Sequence, residues 1–562
     1  MMLTKEQFHS ALVESGGVTE EEFEQAAASK DAADFGIDTM LVANASLTDE
    51  QLSQLMGFYF AVPSVNLRQL RVEPTVLNLL PEAFARQNEI LPLKADEKSV
   101  TVATSSPNDV LERSLLEKYL RREIKMNYAT PTDIREHLFW YQKDPKQIFS
   151  EILEKGEKEI SASDTTIIEL VNTMIDYAFQ GGASDIHIEP EEGHTLIRFR
   201  QDGMLHDIAK LPKSTHENII TRLKVLARLA TDEHRAPQDG KIRHRTRFGD
   251  ALDLRLSVIP TTFAEKAVMR LLSEKNRRLS LANLGFSSED LKKVSTAIRK
   301  PWGMILVTGP TGSGKTTTLY AMLQILNRRD VNITTIEDPV EYQIEGINQI
   351  PVNEKTGLTF AKGLRSIVRQ DPDIIMVGEI RDRDTANIAV NAAMTGHLVL
   401  STLHTNDAAT AFPRLSDMGI ENFLVASTVN VVIAQRLVRK ICMNCIQSVV
   451  DDALQKQIMD EFPEMKEFIM KLTKKKSTKG IMTFRGKGCH VCHQSGYYGR
   501  EGIFEVLTVN EEIKEAIMKN ANADQIHSIA IKAGMLTMLQ DGLRRAIAGQ
   551  TTLEEVLRVT RE

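Results

Sequence analysis

Apolar residues recur at two different periods along this chain, and the change between them divides it. In "TEEEFEQAAASKDAADFG" and "LTDEQLSQLMGFYFA" they fall at helical spacing behind a Thr able to cap the first turn, so residues 1–142 read as a mainly helical domain. Within that domain "LPLKADEKSVTVATSSP" alternates as a hairpin does, before "NDVLERSLLEKYL" returns to helix. From Asp144 to Asp164 the chain is polar, charged and poor in aromatics, and residues 143–164 read as a linker. Residues 165–273 open with the helix "TIIELVNTMIDYAFQGGASD", whose Gly-Gly pair marks its stop. The strand-like runs "DIHIEP", "TLIRFRQDG", "MLHDIAKL", "DLRLSVIP" and "EKAVMRLL" follow, with the helix "ENIITRLKVLARLA" among them, which is an α+β pattern. Residues 274–562 form the last domain: after the short connector "EKNRRLSLANLG" the order becomes, from about Phe286, strand, loop, helix, repeated, which predicts a mostly parallel sheet with helices on both faces.

Composition narrows the class. A chain of 562 residues suggests three to five units, and 42% hydrophobic with 26% charged residues is the mix of a globular protein. The net charge of −7 lacks the basic field of a general nucleic-acid binder. The N-terminal "MMLTKEQFHSALVESGG" does not read as a signal peptide, and no run approaches the roughly 20 apolar residues that cross a bilayer. A cytoplasmic location is the expectation.

The chemistry concentrates after four apolar runs. "MILVTG" leads into Gly309, Pro310, Thr311, Gly312, Ser313, Gly314, Lys315, Thr316 and Thr317, a phosphate loop in its required context between strand and helix. The glycines let backbone N–H groups wrap a phosphate, Lys315 brings a charge to the β/γ oxygens, and the Thr316 hydroxyl ligates Mg²⁺. "NITTI" ends in Glu337, Asp338 and Glu341, "DIIMV" in Gly378, Glu379, Arg381 and Asp382, and "LVLSTL" in His404, Asn406 and Asp407. The carboxyl ends of parallel strands share one edge, so these groups are expected to converge on one ligand. His397 is expected to be structural.

The stretches "GPTGSGKTTTLYAML", "TIEDPVEYQIEGINQ", "LRSIVRQDPDIIMVGEIRDRDTA" and "TGHLVLSTLHTNDA" closely resemble the secretion ATPase superfamily, the motors of type II secretion and type IV pilus assembly. With "GGASDIHIEP", "APQDGKI" and "RLSVIPTTFAEKAVMRLL", the resemblance runs from about Thr165 to Glu562. It implies an α/β, RecA-like P-loop domain with a zinc-bound insert, preceded by an α+β (PAS-like) domain and the helical N-terminal domain. It also implies that Glu341 polarises the attacking water with Glu337 and Asp338 in support, that Glu379 positions Mg²⁺ and water, and that His404 senses the γ-phosphate. Which of Glu341 and Glu379 does more is left open. Arg255 in "DLRLS" and Arg270 in "VMRLL" match arginines that neutralise the triphosphate of ATP. The implied assembly is a homohexamer acting on a polytopic inner-membrane platform protein, peripheral to the inner face of the cytoplasmic membrane.

All four cysteines lie in two Cys-x-x-Cys knuckles, Cys442 with Cys445 and Cys489 with Cys492, and four thiolates suit tetrahedral Zn²⁺. The long insert between them reads as a small module, 437–505, stapled at its base, with His490 and His493 as spare ligands. The basic "TKKKSTK" within it reads as a solvated loop or a contact for acidic surfaces. The N-terminal stretches lack the arginines of the related modules that bind cyclic di-GMP, which favours a docking role. A nucleic-acid translocase would need a basic, aromatic channel, against 6% aromatics and an acidic balance. A P-loop kinase with a zinc lid leaves the "EDPVE" and "GEIRD" blocks unexplained.

Overall fold

The computed structural model describes residues 5–13, 18–27, 49–67, 70, 72–141, 145–158, 163–247, 251–272, 281, 284–450, 452–463, 465–473, 481–489, 492 and 494–561. Two units emerge: Met1–Thr19 with Asp49–Arg278, and Glu20–Thr48 with Leu279–Glu562.

In the first unit the expected hairpin forms β1 (Ile90–Ala95) and β2 (Ser99–Thr104), paired antiparallel. A third strand, β3 (Glu123–Tyr128), runs parallel to β2, so the N-terminal region is mixed rather than mainly helical. Its Ile124, Met126 and Tyr128 alternate inward.

The stretch read as a linker is largely helix. Pro145–Lys158 forms a 14-residue helix that places Phe149 and Ile152 in a core shared with the helix Ser163–Gln180, with Ile148 and Leu153 packed alongside. These four positions form one narrow apolar face, enough to bury a helix whose other residues are mostly charged or polar.

Six strands follow in this unit: β4 (Asp185–Pro190), β5 (His194–Gln201), β6 (Met204–Pro212), β7 (Gln238–Arg245), β8 (Ala251–Pro260) and β9 (Glu265–Leu272). They pair antiparallel in the order β6-β5-β4-β9-β8-β7. The helices Ser163–Gln180 and His216–Ala227 contribute to the core beneath this sheet.

The second unit is built on a seven-stranded sheet: β10 (Gly303–Thr308), β11 (Ile333–Glu337), β12 (Asn348–Pro351), β13 (Ile374–Val377), β14 (Leu398–Leu403), β15 (Val429–Ile441) and β18 (Tyr497–Thr508). The order is β12-β11-β13-β14-β10-β15-β18, and every pairing is parallel except that of β15 with β18. The sheet is covered on both faces: Met304 and Leu306 of β10 enter one core, Ile305 and Val307 the other. That two-sided burial is why these strands read as continuous apolar runs.

The cysteine-bearing insert carries the ribbon β16 (Ile446–Val449) and β17 (Thr483–Gly486) and the helices Asp452–Glu461 and Met465–Thr473. Its Ile458, Met465, Ile469 and Ile481 pack with Leu543, Ala546 and Val556 of the C-terminal helices. Among the described residues no helix is long and apolar enough to cross a membrane.

Candidate functional site

Strand order puts the expected groups together. β10 lies between β14 and β15, and β13 lies between β14 and β11, so the phosphate loop, His404, Glu379 and Glu337 stand at or just beyond the carboxyl ends of four successive strands.

The loop from Gly309 to Gly314 enters the helix Lys315–Leu326. Gly309, Gly312 and Gly314 all take positive φ, at 144°, 81° and 89°. A Cβ on Gly309 would lie 2.4 Å from the Gln435 carbonyl oxygen, whereas one on Gly312 would meet nothing, because that part of the loop faces open space. Lys315 is buried and its Nζ donates to the carbonyls of Gly309 and Pro310 at 2.8 and 3.0 Å. Burial pulls its pKa below the usual lysine value, and the Glu379 charge works in the opposite direction. The Ser313 hydroxyl is buried with no hydrogen-bond partner among the described residues, while Thr316 is exposed. An open cradle of positive-φ glycines with a lysine and an unsatisfied hydroxyl fits a polyphosphate. From β15, Gln435 supports the loop helix from behind, its Oε1 accepting from Thr318 Oγ1 at 2.6 Å.

The acidic residues separate by environment. Glu337 is buried: it accepts from the Tyr320 hydroxyl, from Thr335 Oγ1 at 2.6 Å and from Gln349 Nε2 at 3.1 Å. Asp338 is exposed. Glu341 is half-buried, its backbone N–H donates to the Tyr320 hydroxyl at 3.3 Å, and its carboxylate has no partner among the described residues. Glu379 is held by Arg381 at 2.6 Å and by His404 Nε2 at 3.1 Å. Asp382 and Asp407 do what carboxylates after strands often do, accepting from the backbone N–H of Thr385 at 2.9 Å and of Thr410 at 2.7 Å. His397 stands at the other end of β14, its Nδ1 2.9 Å from the Ala392 carbonyl oxygen.

Arg255 and Arg270 belong to the first unit and face each other directly across β8 and β9. Register extends this pair into a row: Arg270 opposes Asp185, Asp185 opposes Arg200, and Arg255 opposes Lys241. Directly opposed residues share a sheet face, so four cations and one carboxylate line one face across five strands. Asp185 is buried and takes Arg270 Nε at 3.0 Å and Arg200 Nε at 3.7 Å. Arg200 and Lys241 escaped the sequence reading, because the row exists only once the strands are paired.

At the base of the insert the four cysteine sulfurs lie within 4.8 Å of one another. The Cys442–Cys489 and Cys445–Cys492 pairs are 3.8 Å apart and Cys489–Cys492 3.7 Å. Four ligands at a Zn–S distance of about 2.3 Å define a tetrahedron with edges of about 3.8 Å, so the cluster fits that ion. The backbone N–H groups of Cys489 and Gly496 both donate to the Cys492 sulfur at 3.2 Å, as a thiolate requires. His490, His493 and residues 474–479 lie outside the described residues.

Residues 161–558 match the family described as Type II/IV secretion system protein, and residues 60–148 match the MshEN domain. The type IV pilus assembly ATPase PilB of Myxococcus xanthus is 40% identical over 537 residues, covering 93% of this chain and 93% of that protein. The type II secretion system protein E of Dickeya dadantii is 41% identical over 510 residues, covering 87% of this chain and 98% of that protein. The X-ray structure of the Yersinia pseudotuberculosis ATPase DotB covers 70% of this chain and 93% of its own, with a TM-score of 0.50 at 19% identity, a likeness of fold.

Proposed function

This chain belongs to the type II/IV secretion system protein family and is an ATPase of that family, and from that premise we propose that it is a hexameric cytoplasmic motor extending a type IV pilus or a secretion pseudopilus. The observation that carries the reading is the shared edge of the seven-stranded sheet, where the phosphate loop, Glu379 and His404 follow adjoining strands.

In this reading residues 309–317 bind the ATP phosphates and Lys315 leaves its loop carbonyls for the β/γ oxygens. Thr316 and Glu379 would hold Mg²⁺, which offsets phosphate charge. Glu341, whose carboxylate has no partner among the described residues, takes the proton of the attacking water. Glu337 supports it from a buried position and Asp338 from an exposed one. His404 reports the γ-phosphate to Glu379. Arg255 and Arg270, on the sheet of the α+β domain that we read as PAS-like, add positive charge to the triphosphate as the ring closes. The four cysteines hold Zn²⁺ in a structural role. The motor acts on a polytopic membrane platform protein at the inner face of the cytoplasmic membrane, with no nucleic acid involved.

The test is Mg²⁺-dependent ATP hydrolysis by the purified protein and by Glu341→Gln, each sized by light scattering with ATP present. Hydrolysis lost in the variant, in a particle about six times the chain mass, is the expected result. A monomer that hydrolyses equally well with either residue overturns it.

A further inference from the structure

The loop that carries Glu341 is fastened by two side chains outside it. Tyr320 lies on the helix that begins with Lys315, is fully buried, and engages its hydroxyl as both donor and acceptor. The hydroxyl donates to Glu337 Oε2 and accepts from the Glu341 backbone N–H at 3.3 Å, and Gln349 Nε2, whose two hydrogens are shared with Glu337 Oε1 and the Tyr342 carbonyl at 3.1 Å each, also stands 3.3 Å from it. Gln349, on β12, grips the same loop further along: its Nε2 donates to the Tyr342 carbonyl at 3.1 Å and its Oε1 accepts from the Ile344 N–H at 2.8 Å. The Tyr320 and Tyr342 rings meet edge to face at 4.7 Å between centroids. Burial first, and then the Glu337 charge, push the Tyr320 pKa up, which keeps the phenol protonated as donor to that carboxylate.

We propose that Tyr320 is a positioning residue for ATP hydrolysis: it ties the phosphate-loop helix to the backbone of Glu341, so that the Glu341 carboxylate stays unpaired and aimed at the water. The proposal rests on the reading of Glu341 as the water-polarising group. It gives Glu337 a definite task, since this buried carboxylate orients the phenol whose lone pair receives the Glu341 amide. Removing the hydroxyl leaves the nucleotide cradle and its lysine in place, and releases one end of the 338–344 loop from the helix.

The experiment compares full-length wild type with Tyr320→Phe, Glu341→Gln, Gln349→Ala and the double variant Tyr320→Phe/Glu341→Gln, measuring kcat, KM for ATP and thermal midpoint. Tyr320→Phe is expected to lower kcat by about 10- to 100-fold, while KM stays within about twofold and the thermal midpoint within a few degrees. Gln349→Ala, which frees the other end of the loop, is expected to show the same split. The double variant is expected to be no slower than Glu341→Gln alone, because both changes act through one carboxylate. If Glu341→Gln is inactive while Tyr320→Phe turns over like wild type, the positioning role is overturned and the Glu341 reading stands. The role is likewise overturned if the two losses multiply, or if Tyr320→Phe acts through KM and thermal midpoint. If Glu341→Gln remains active, the underlying reading falls, and this proposal with it.

Discussion

Nε2 of His404 lies 3.1 Å from Oε2 of Glu379, joining the ends of β14 and β13 beside the phosphate loop. The same carboxylate meets Arg381 at 2.6 Å on its other oxygen, so Glu379 is held on both sides. A γ-phosphate that draws His404 toward itself would take it from Glu379, so the histidine serves as a sensor only if the exchange is possible. His404→Ala is therefore expected to lower kcat by about 10²-fold while leaving affinity for ADP within about twofold. Fluorescent-nucleotide titration beside steady-state turnover checks this, and an equal weakening of ADP and ATP binding would argue for a merely structural histidine.

The cationic row makes a second prediction. Asp185 is buried beneath Arg270 and Arg200 and fixes the direction of both guanidinium groups. On the proposed function Arg270→Ala should lose about 10³-fold in kcat/KM, within the range seen when an arginine is withdrawn from a phosphoryl transition state. Lysine should restore little of it, because it lacks the planar fork. Asp185→Asn should keep the row but loosen it, giving a smaller loss. Turnover of Arg270→Ala within twofold of wild type would remove these arginines from the chemistry.

The gathering of the candidate groups on one sheet edge was legible because they sit where an apolar run stops, and strand-length runs such as "MILVTG" and "DIIMV" are buried on both faces. The phosphate loop has fixed spacing, and the cysteines stand in two pairs. What escaped had weak local signals. β7, "QDGKIRHR", buries Ile242 among polar residues, and it is a strand because β8 pairs with it. The helix 145–158 hides a four-residue apolar face in a charged stretch. Tyr320 lies inside the phosphate-loop motif, yet its contacts are with Glu337, Glu341 and Gln349, which only the strand order brings near it.

Zinc content can be read directly. The cluster geometry leads us to expect about one zinc per chain by elemental mass spectrometry, and near none in a Cys442→Ser/Cys489→Ser variant. Because the cluster closes the base of the insert, stripping the ion should expose the β16–β17 ribbon to proteolysis while ATP binding persists. Purified protein with intact folding and no zinc, copper or iron would refute the assignment.

The last helix, Leu553–Arg561, supplies a pH-dependent clasp on β15. Glu555 is 1% exposed and bonds Arg439 at 2.7 Å and Arg558 at 2.8 Å, while the Arg439 guanidinium also lies 4.1 Å over the Tyr497 ring. Burial alone would raise the Glu555 pKa. The hydrogen bonds from Arg558 and Arg439 and the Arg439 charge outweigh it, and hold the carboxyl at about 2 against an ordinary 4.5. A carboxylate with a depressed folded pKa adds stability that is fully present above the unfolded value and is lost as pH falls through the folded one. The shift corresponds to about 3 kcal/mol, present at pH 6 and largely gone near pH 2. Glu555→Gln should therefore speed amide exchange of residues 553–561 strongly at pH 6, and the gap between variant and wild type should narrow steadily below pH 4.5. A gap that stays constant from pH 6 to pH 3 would mean that packing of Leu553, Val556 and Leu557, and not the ion pairs, holds the helix in place.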